Sequence, residues 1–340
     1  MKAAVLQSPG NLVYGDWREP QAGPGQVKIK VKCAGICGSD IPRVLRGAAH
    51  SYPIVLGHEF SGIITETGEG VSDGLAGKRA ACAPLLPCMS CRDCRCGNYA
   101  LCGKYGFIGS RQQGGFAEYV CLPEENAVPF GDGIGFEQGA MFEPSTVALH
   151  GLRRVNYTGG KNVCILGGGT IGLFTMQWAK IFGAAHLTVF DISNKKLTLA
   201  KKMGADETIN PSVQHYRENF YDYVFETAGS VETMRMSFVL AAKKASVCFI
   251  GTPANDLSYS PKEFEEMHRK EFTLTGSWMS YSAPFPGEEW TLTADAFASG
   301  KLRFDPEMIH RVFPLSEAAQ AFEMFKNPAD VKGKIMIGIG

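Results

Sequence analysis

The hydrophobic rhythm of the chain changes twice. Up to about residue 150, apolar and polar positions alternate in short runs such as Val27-Lys28-Ile29-Lys30-Val31 and Phe60-Ser61-Gly62-Ile63-Ile64. This two-residue period predicts half-buried antiparallel strands. Residues 114–120 read as a turn entering another strand. Near Gly160 the pattern switches. Asn162-Val163-Cys164-Ile165-Leu166 is a continuous apolar run, as a strand buried on both faces requires. A glycine-rich turn follows it, then a helix over 171–182. Further strands are expected at 187–190, 223–226, 246–250 and 272–276, with helices at 195–203 and 231–242 between them. Strictly alternating strands and helices predict an α/β, doubly wound parallel sheet. After about Ser277 the rhythm is lost, leaving a helix over 290–299 and a final strand over 334–337 that returns to the first lobe. The expected division is therefore 1–148, 149–277 and 278–340.

At 340 residues and 45% hydrophobic content the chain can fill two cores. Charged residues make up 20% and the net charge is zero, which argues against disorder and against nucleic acid as a partner. No apolar run approaches the roughly 18 residues of a membrane span. The opening run Met1–Leu6 breaks at Ser8-Pro9-Gly10, so no signal peptide is expected, and the expected location is cytoplasmic. Eleven cysteines, an odd number with four at short spacings, favour metal ligation over a disulfide framework.

Those four, Cys88-x-x-Cys91-x-x-Cys94-x7-Cys102, would wrap a loop around one tetrahedral zinc and close its shell. Such a site builds structure and performs no chemistry. Cys96 is a spare thiol within the loop, and Arg92, Arg95 and Lys104 are placed to soften its negative charge. A second set of donors is scattered: Cys37-Gly38-Ser39-Asp40, Gly57-His58-Glu59 and Phe142-Glu143-Pro144. A thiolate, an imidazole and a carboxylate would leave a fourth zinc position open for water or substrate, as Lewis-acid catalysis needs.

Gly167-Gly168-Gly169-Thr170-Ile171-Gly172 fits the G-x-G-x-x-G pattern in the context that gives it meaning, between a buried strand and a helix. Gly167 permits the tight turn, Gly169 lets backbone approach a pyrophosphate, and Gly172 allows close helix–strand packing. The helix start at Thr170 and Ile171 offers free N–H groups to phosphate. Asp191, nineteen residues beyond Gly172, is placed to accept from ribose hydroxyls and to repel a 2′-phosphate, so NAD is expected over NADP. Lys196 would cover the ribose edge.

This combination resembles the zinc-containing medium-chain alcohol dehydrogenases over nearly the whole chain. The zinc signature Gly57-His58-Glu59-Phe60-Ser61-Gly62, with Gly68 and Val71, carries the resemblance. Within that family, residues 38–43, 49–53, 84–88, 107–111 and 276–279 are similar to polyol-phosphate dehydrogenases. The resemblance implies a mainly β, GroES-like catalytic domain made from both chain ends around a central Rossmann domain. It implies two zinc ions per chain, the structural one in loop 88–102 and a catalytic one held by Cys37, His58 and Glu143. Glu59 would be a neighbour or alternate ligand, and Asp40 would fix the His58 tautomer. Ser39 would take the alcohol proton while hydride passes to the nicotinamide. Pro42 stands where some relatives carry a relay histidine, so the outer end of the relay is open, with His50 as a candidate. A homodimer or homotetramer is implied.

The expected substrate is a small polyol phosphate. Arg43 and Arg46, if helical, share one face and with Arg111 and Lys104 could grip a phosphate; a solvated basic face is the plain alternative. Trp278 and Tyr281 could wall the pocket. Other readings are a dehydrogenase of a free polyol, a non-catalytic NAD-binding protein, and a zinc-free quinone reductase; the full set of metal-site residues argues against the last two.

Overall fold

The alternating and continuous runs segregate into two sheets. A computed structural model describes all residues, Met1–Gly340, and the chain divides into two compact units. One contains residues 1–143, 281–299 and 309–340, and the other 144–280 and 300–308.

The first unit is built on a seven-stranded sheet whose main path runs Ala127–Phe130, Arg79–Cys82, Glu59–Thr67, Gln26–Gly35, Lys334–Gly338, Ile309–Pro314. Tyr119–Pro123 also pairs with Gln26–Gly35. The alternating run 27–31 puts Val27, Ile29 and Val31 into the core. The C-terminal strand lies antiparallel against Gln26–Gly35, with Ile337 opposite Ala34. Its Ile335, Met336 and Ile337 are wholly buried; each is worth roughly 1.5–3 kcal/mol of hydrophobic stabilisation. Two ends of the sequence thus share one core.

The second unit holds a six-stranded sheet in the order Glu207–Ile209, His186–Phe190, Asn162–Leu166, Tyr221–Glu226, Ala241–Phe249, Thr273–Gly276, with every neighbouring pair parallel. Val163 to Leu166 are wholly buried, as their unbroken apolar run predicts. The first strand is central, so order reverses beside it and leaves a crevice at the strand C-terminal edge. One element differs from expectation. The helix expected over 231–242 ends at Leu240, and the next strand starts at Ala241, five residues before Ser246. Ala241 is captured by pairing with Tyr221, and the irregularity falls near Lys244, whose φ is +63°. No helix is long and apolar enough to cross a membrane.

Candidate metal centre and dinucleotide turn

Three segments of the first unit bring a buried cluster together. Cys37 follows the end of strand Gln26–Gly35, and His58 immediately precedes strand Glu59–Thr67. These strands are paired, Gly35 opposite Glu59, so the donors meet at one sheet end. Gly57 makes the turn into His58 with φ +94°. Its carbonyl accepts from Gly115 N–H at 2.7 Å, and Gly109 packs so closely that a Cβ there would lie 2.2 Å from that oxygen. The loop 107–116 thereby fixes the His58 backbone, and the Phe107 ring meets the imidazole edge-on at 5.4 Å.

The ligand atoms of Cys37, His58 and Glu59 lie within 4.8 Å of one another. This gathered set differs from the expected one in its carboxylate: Glu143 is not among the three. A residue outside the sequence expectation explains where Glu59 is held. Lys334, on the C-terminal strand, donates to both Glu59 carboxylate oxygens, at 2.8 and 2.6 Å, and lies 3.3 Å from the Ile36 carbonyl. The pair is almost fully buried. Gly35 makes room for it, since a Cβ there would sit 2.4 Å from Glu59 Oε2.

Electrostatics make the cluster a cation site. Burial pushes the Glu143 carboxyl up, the like charges of Glu59 and Asp40 add to this, and His58 and Lys334 oppose it; the result is about 7. Burial alone would lower the His58 pKa, but Asp40 and Cys37 raise it well above the usual histidine range. Asp40, wholly buried, is held below the ordinary carboxylate range: burial acts against this, and His58 and Arg43 outweigh it. Its Oδ1 is 3.5 Å from His58 Nδ1, at the outer limit of a hydrogen bond. A field that favours a proton on His58 also favours a dication beside it, and sulfur, nitrogen and carboxylate donors suit zinc. The residues therefore fit the ion.

The four-cysteine loop has gathered its sulfurs as its spacing predicts. Cys88, Cys91, Cys94 and Cys102 lie within 4.8 Å of one another, with Cys88 and Cys94 Sγ atoms 4.0 Å apart. Backbone N–H groups of Cys88, Cys91 and Cys94 point at Cys102, Cys88 and Cys91 sulfurs at 3.4–3.5 Å, which stabilises thiolates. Hydrogen bonds from Ser90 and the Cys91 N–H bring the Cys88 thiol down to about 5. Cys96 is exposed and stands outside the set. This cluster can hold a structural zinc.

In the second unit, the glycine turn links strand Asn162–Leu166 to helix Thr170–Ile181. Gly167 has φ +105°, and a Cβ on Gly172 would lie 1.8 Å from the Gly167 carbonyl oxygen. A Cβ on Gly169 would meet nothing within 4 Å. Asp191 accepts from Gly168 N–H and Ser193 N–H, both at 2.8 Å, with Lys196 Nζ at 3.8 Å.

Two family models match this chain: the alcohol dehydrogenase GroES-like domain over 23–132 and the zinc-binding dehydrogenase domain over 170–296. Galactitol 1-phosphate 5-dehydrogenase of Escherichia coli is 41% identical, covering 92% of each chain. The chain belongs to the zinc-binding medium-chain alcohol dehydrogenases. L-Idonate 5-dehydrogenase of Vitis vinifera is 31% identical, over 89% of this chain and 86% of its own. Among solved structures, galactitol-1-phosphate dehydrogenase from Escherichia coli superposes with a TM-score of 0.93 at 38% identity, covering 99% of each chain. A zinc-binding dehydrogenase from Sinorhizobium meliloti bound to NADP gives 0.90 at 31% identity, covering 99% of this chain and 98% of its own. As a member of this family the chain is an NAD-dependent oxidoreductase of the alcohol and polyol dehydrogenase type.

The expected substrate contacts fare unevenly. Helix Asp40–Leu45 carries Arg43, but Arg46 is its C-cap with φ −125°, so the two do not share a helical face. Arg43 turns inward, donating to Ser39 Oγ at 2.9 Å and Asp40 Oδ1 at 3.0 Å. Ser39 remains exposed. Arg111 is exposed with its guanidinium 4.6 Å from the Tyr105 ring centroid. His50 is exposed, and its pKa is lowered by partial burial and then by Arg111 and Arg43, so the imidazole lies within the field of these two guanidiniums and favours its neutral form. Tyr281 is no pocket wall: it is buried, accepts from Leu85 N–H at 2.9 Å, and stacks on Phe285. Trp278 is 53% exposed.

Proposed function

We propose that this enzyme oxidises a secondary hydroxyl of a polyol phosphate, galactitol 1-phosphate to tagatose 6-phosphate, with NAD as acceptor and a homodimer or homotetramer as the working assembly. The observation that carries the phosphate is the positive patch around the exposed Arg111, near His50, in the unit that holds the metal cluster. Such a patch suits a dianion better than a neutral polyol. The likeness to the Escherichia coli enzyme supports the same choice.

Cys37, His58 and Glu143 are assigned as the catalytic zinc ligands. Both Glu59 oxygens are engaged by Lys334, which leaves Glu143 as the carboxylate to join the thiolate and the imidazole. Held there, zinc would supply Lewis-acid polarisation of the alcohol oxygen and a nicotinamide would supply the hydride acceptor. The protein's own groups prepare that event. Asp40, whose Oδ1 is 3.5 Å from His58 Nδ1, would draw the imidazole proton to Nδ1 and leave Nε2 as the ligand atom. Arg43 donates to Ser39 Oγ, orienting that hydroxyl to accept the alcohol proton and pass it to water. Gly167, Gly169 and the N–H groups of Thr170 and Ile171 would hold the pyrophosphate, and Asp191 with Lys196 would hold the ribose.

The test is NADH formation, followed by absorbance, with phosphorylated and free hexitols and pentitols. Galactitol 1-phosphate is expected to exceed galactitol and sorbitol in kcat/KM by about 100-fold, the worth of a paired charge. Equal or better turnover of the free sugar alcohols overturns the phosphate assignment and leaves the dehydrogenase chemistry standing.

A further inference from the structure

One carboxylate in the dinucleotide-binding unit has no part in the chemistry above. Glu226 ends the strand Tyr221–Glu226 beside the glycine turn and is wholly buried. Its Oε1 accepts three hydrogen bonds: from Ala228 N–H and Gly229 N–H, both at 2.9 Å, and from Thr233 Oγ1 at 2.7 Å. Its Oε2 is buried with no partner. Its own backbone carbonyl accepts from Ile250 N–H at 2.9 Å and Gly251 N–H at 3.0 Å.

Two loops at the C-terminal edge of the parallel sheet therefore meet on this residue, and a third, the glycine turn, is reached through its neighbour Thr227. The turn 227–229 is tied by the side chain and the segment 250–251 by the main chain. Thr227 continues the connection, its hydroxyl donating to the Leu166 and Gly167 carbonyls at 2.9 and 3.1 Å. The contacts are too close for larger residues. A Cβ on Gly251 would lie 2.5 Å from Glu226 Oε2, and one on Gly229, whose φ is +68°, would lie 2.5 Å from the Thr252 carbonyl oxygen. A Cβ on Gly167 would come within 3.0 Å of both Ala228 Cβ and Thr227 Oγ1. The position of the phosphate-binding turn is thus coupled, contact by contact, to the Glu226 acceptor.

We propose that Glu226 is a positioning residue for the dinucleotide: as one shared acceptor, it fixes the 227–229 turn against Gly167 and thereby preorganises the glycine turn for the cofactor. The inference rests on the reading of Gly167–Gly172 as the dinucleotide site. Preorganisation of this kind changes affinity through the ordering that the ligand no longer has to supply. It leaves the chemical step of the bound complex alone, because Glu226 touches no reacting atom. The function lies in the acceptor, so glutamine, which keeps Oε1, serves in place of glutamate. Alanine takes the shared acceptor away from three part-buried donors, of which only Thr233 has another partner, the Ser230 carbonyl at 3.0 Å.

The experiment uses full-length protein and four forms: wild type, Glu226→Ala, Glu226→Gln and Thr233→Val. NADH affinity is measured by fluorescence titration, and kcat and KM for NAD at saturating alcohol. Glu226→Ala is expected to raise the NADH Kd and the KM for NAD about tenfold, with kcat at saturating NAD within about twofold. Glu226→Gln is expected to stay near wild type, and Thr233→Val, which removes one of the three donors, to weaken NADH binding about threefold. Unchanged affinity in Glu226→Ala overturns the proposal, as does Glu226→Gln as impaired as alanine, or a loss confined to kcat. If Glu226→Ala does not fold, the other two variants decide: wild-type affinity in Thr233→Val overturns it. Wild-type protein that binds no NADH overturns the dinucleotide reading itself, an outcome distinct from binding that ignores Glu226.

Discussion

A buried lysine decides how the carboxylates of the metal centre are shared. Burial alone lowers the Lys334 pKa, but Glu59 and then Cys37 raise it overall, so the ammonium is held charged inside the first unit. Removing it leaves Glu59 with an unpaired charge at 2% exposure. Lys334→Met is therefore expected to destabilise the protein by about 3 kcal/mol in urea unfolding. Adding Glu59→Gln to it should recover much of that loss, because the pair acts as a unit. Losses below about 0.5 kcal/mol in both single variants would show that the pair contributes little. Lys334 carried no sequence signal. It lies 275 positions from Glu59, and an isolated lysine in a strand reads as a solvent-facing residue. Arg43 and Tyr281 were misread for the same reason. Both are residue types that suit a substrate pocket, but whether a side chain faces the pocket or the interior is settled by neighbours distant in sequence.

At the scale of the element, the glycine turn separates two reasons for the same residue. Gly172 is required by the protein, since a Cβ there would sit 1.8 Å from the Gly167 carbonyl oxygen. At Gly169 the surrounding space is empty of protein and the backbone angle, φ −77°, is open to any residue. Gly172→Ala is expected to lower the melting temperature by several degrees, in line with a backbone clash of a few kcal/mol. Gly169→Ala should melt with wild type and lose NADH affinity by about tenfold or more, as its methyl would enter the open space into which we propose the pyrophosphate binds. Calorimetry and fluorescence titration distinguish the two. A Gly169→Ala protein with undiminished affinity would remove the pyrophosphate from this turn. This element was legible in advance because its strand, turn and helix are contiguous. The early start of strand 241–249 was not, although its second half was, because pairing of Ala241 with Tyr221 outweighs the helical pattern of the preceding residues.

The first unit depends on residues from both ends of the chain. The last strand lies between Gln26–Gly35 and Ile309–Pro314; it carries Ile335, Met336 and Ile337 into the core and delivers Lys334 to the metal centre. Deleting residues 334–340 is expected to prevent the first unit from folding, since three lost apolar side chains alone amount to roughly 5–9 kcal/mol, comparable to the whole stability of a domain. Limited proteolysis should then cleave within residues 1–143 while a fragment from 144–280 persists. A truncated chain that melts as wild type does would show that the strand is an accessory.

By itself, the sequence determined whatever depends on neighbours along the chain. The four cysteines gather their sulfurs because a few residues separate them, the glycines bend a turn they belong to, and each apolar run sets its own strand. Tertiary structure alone decided how Cys37, His58 and Glu59 come together with Lys334, which carboxylate is held by that lysine, and which arginine faces inward. Those outcomes are set by pairing and desolvation between strands far apart in sequence, and neither leaves a mark in local spacing.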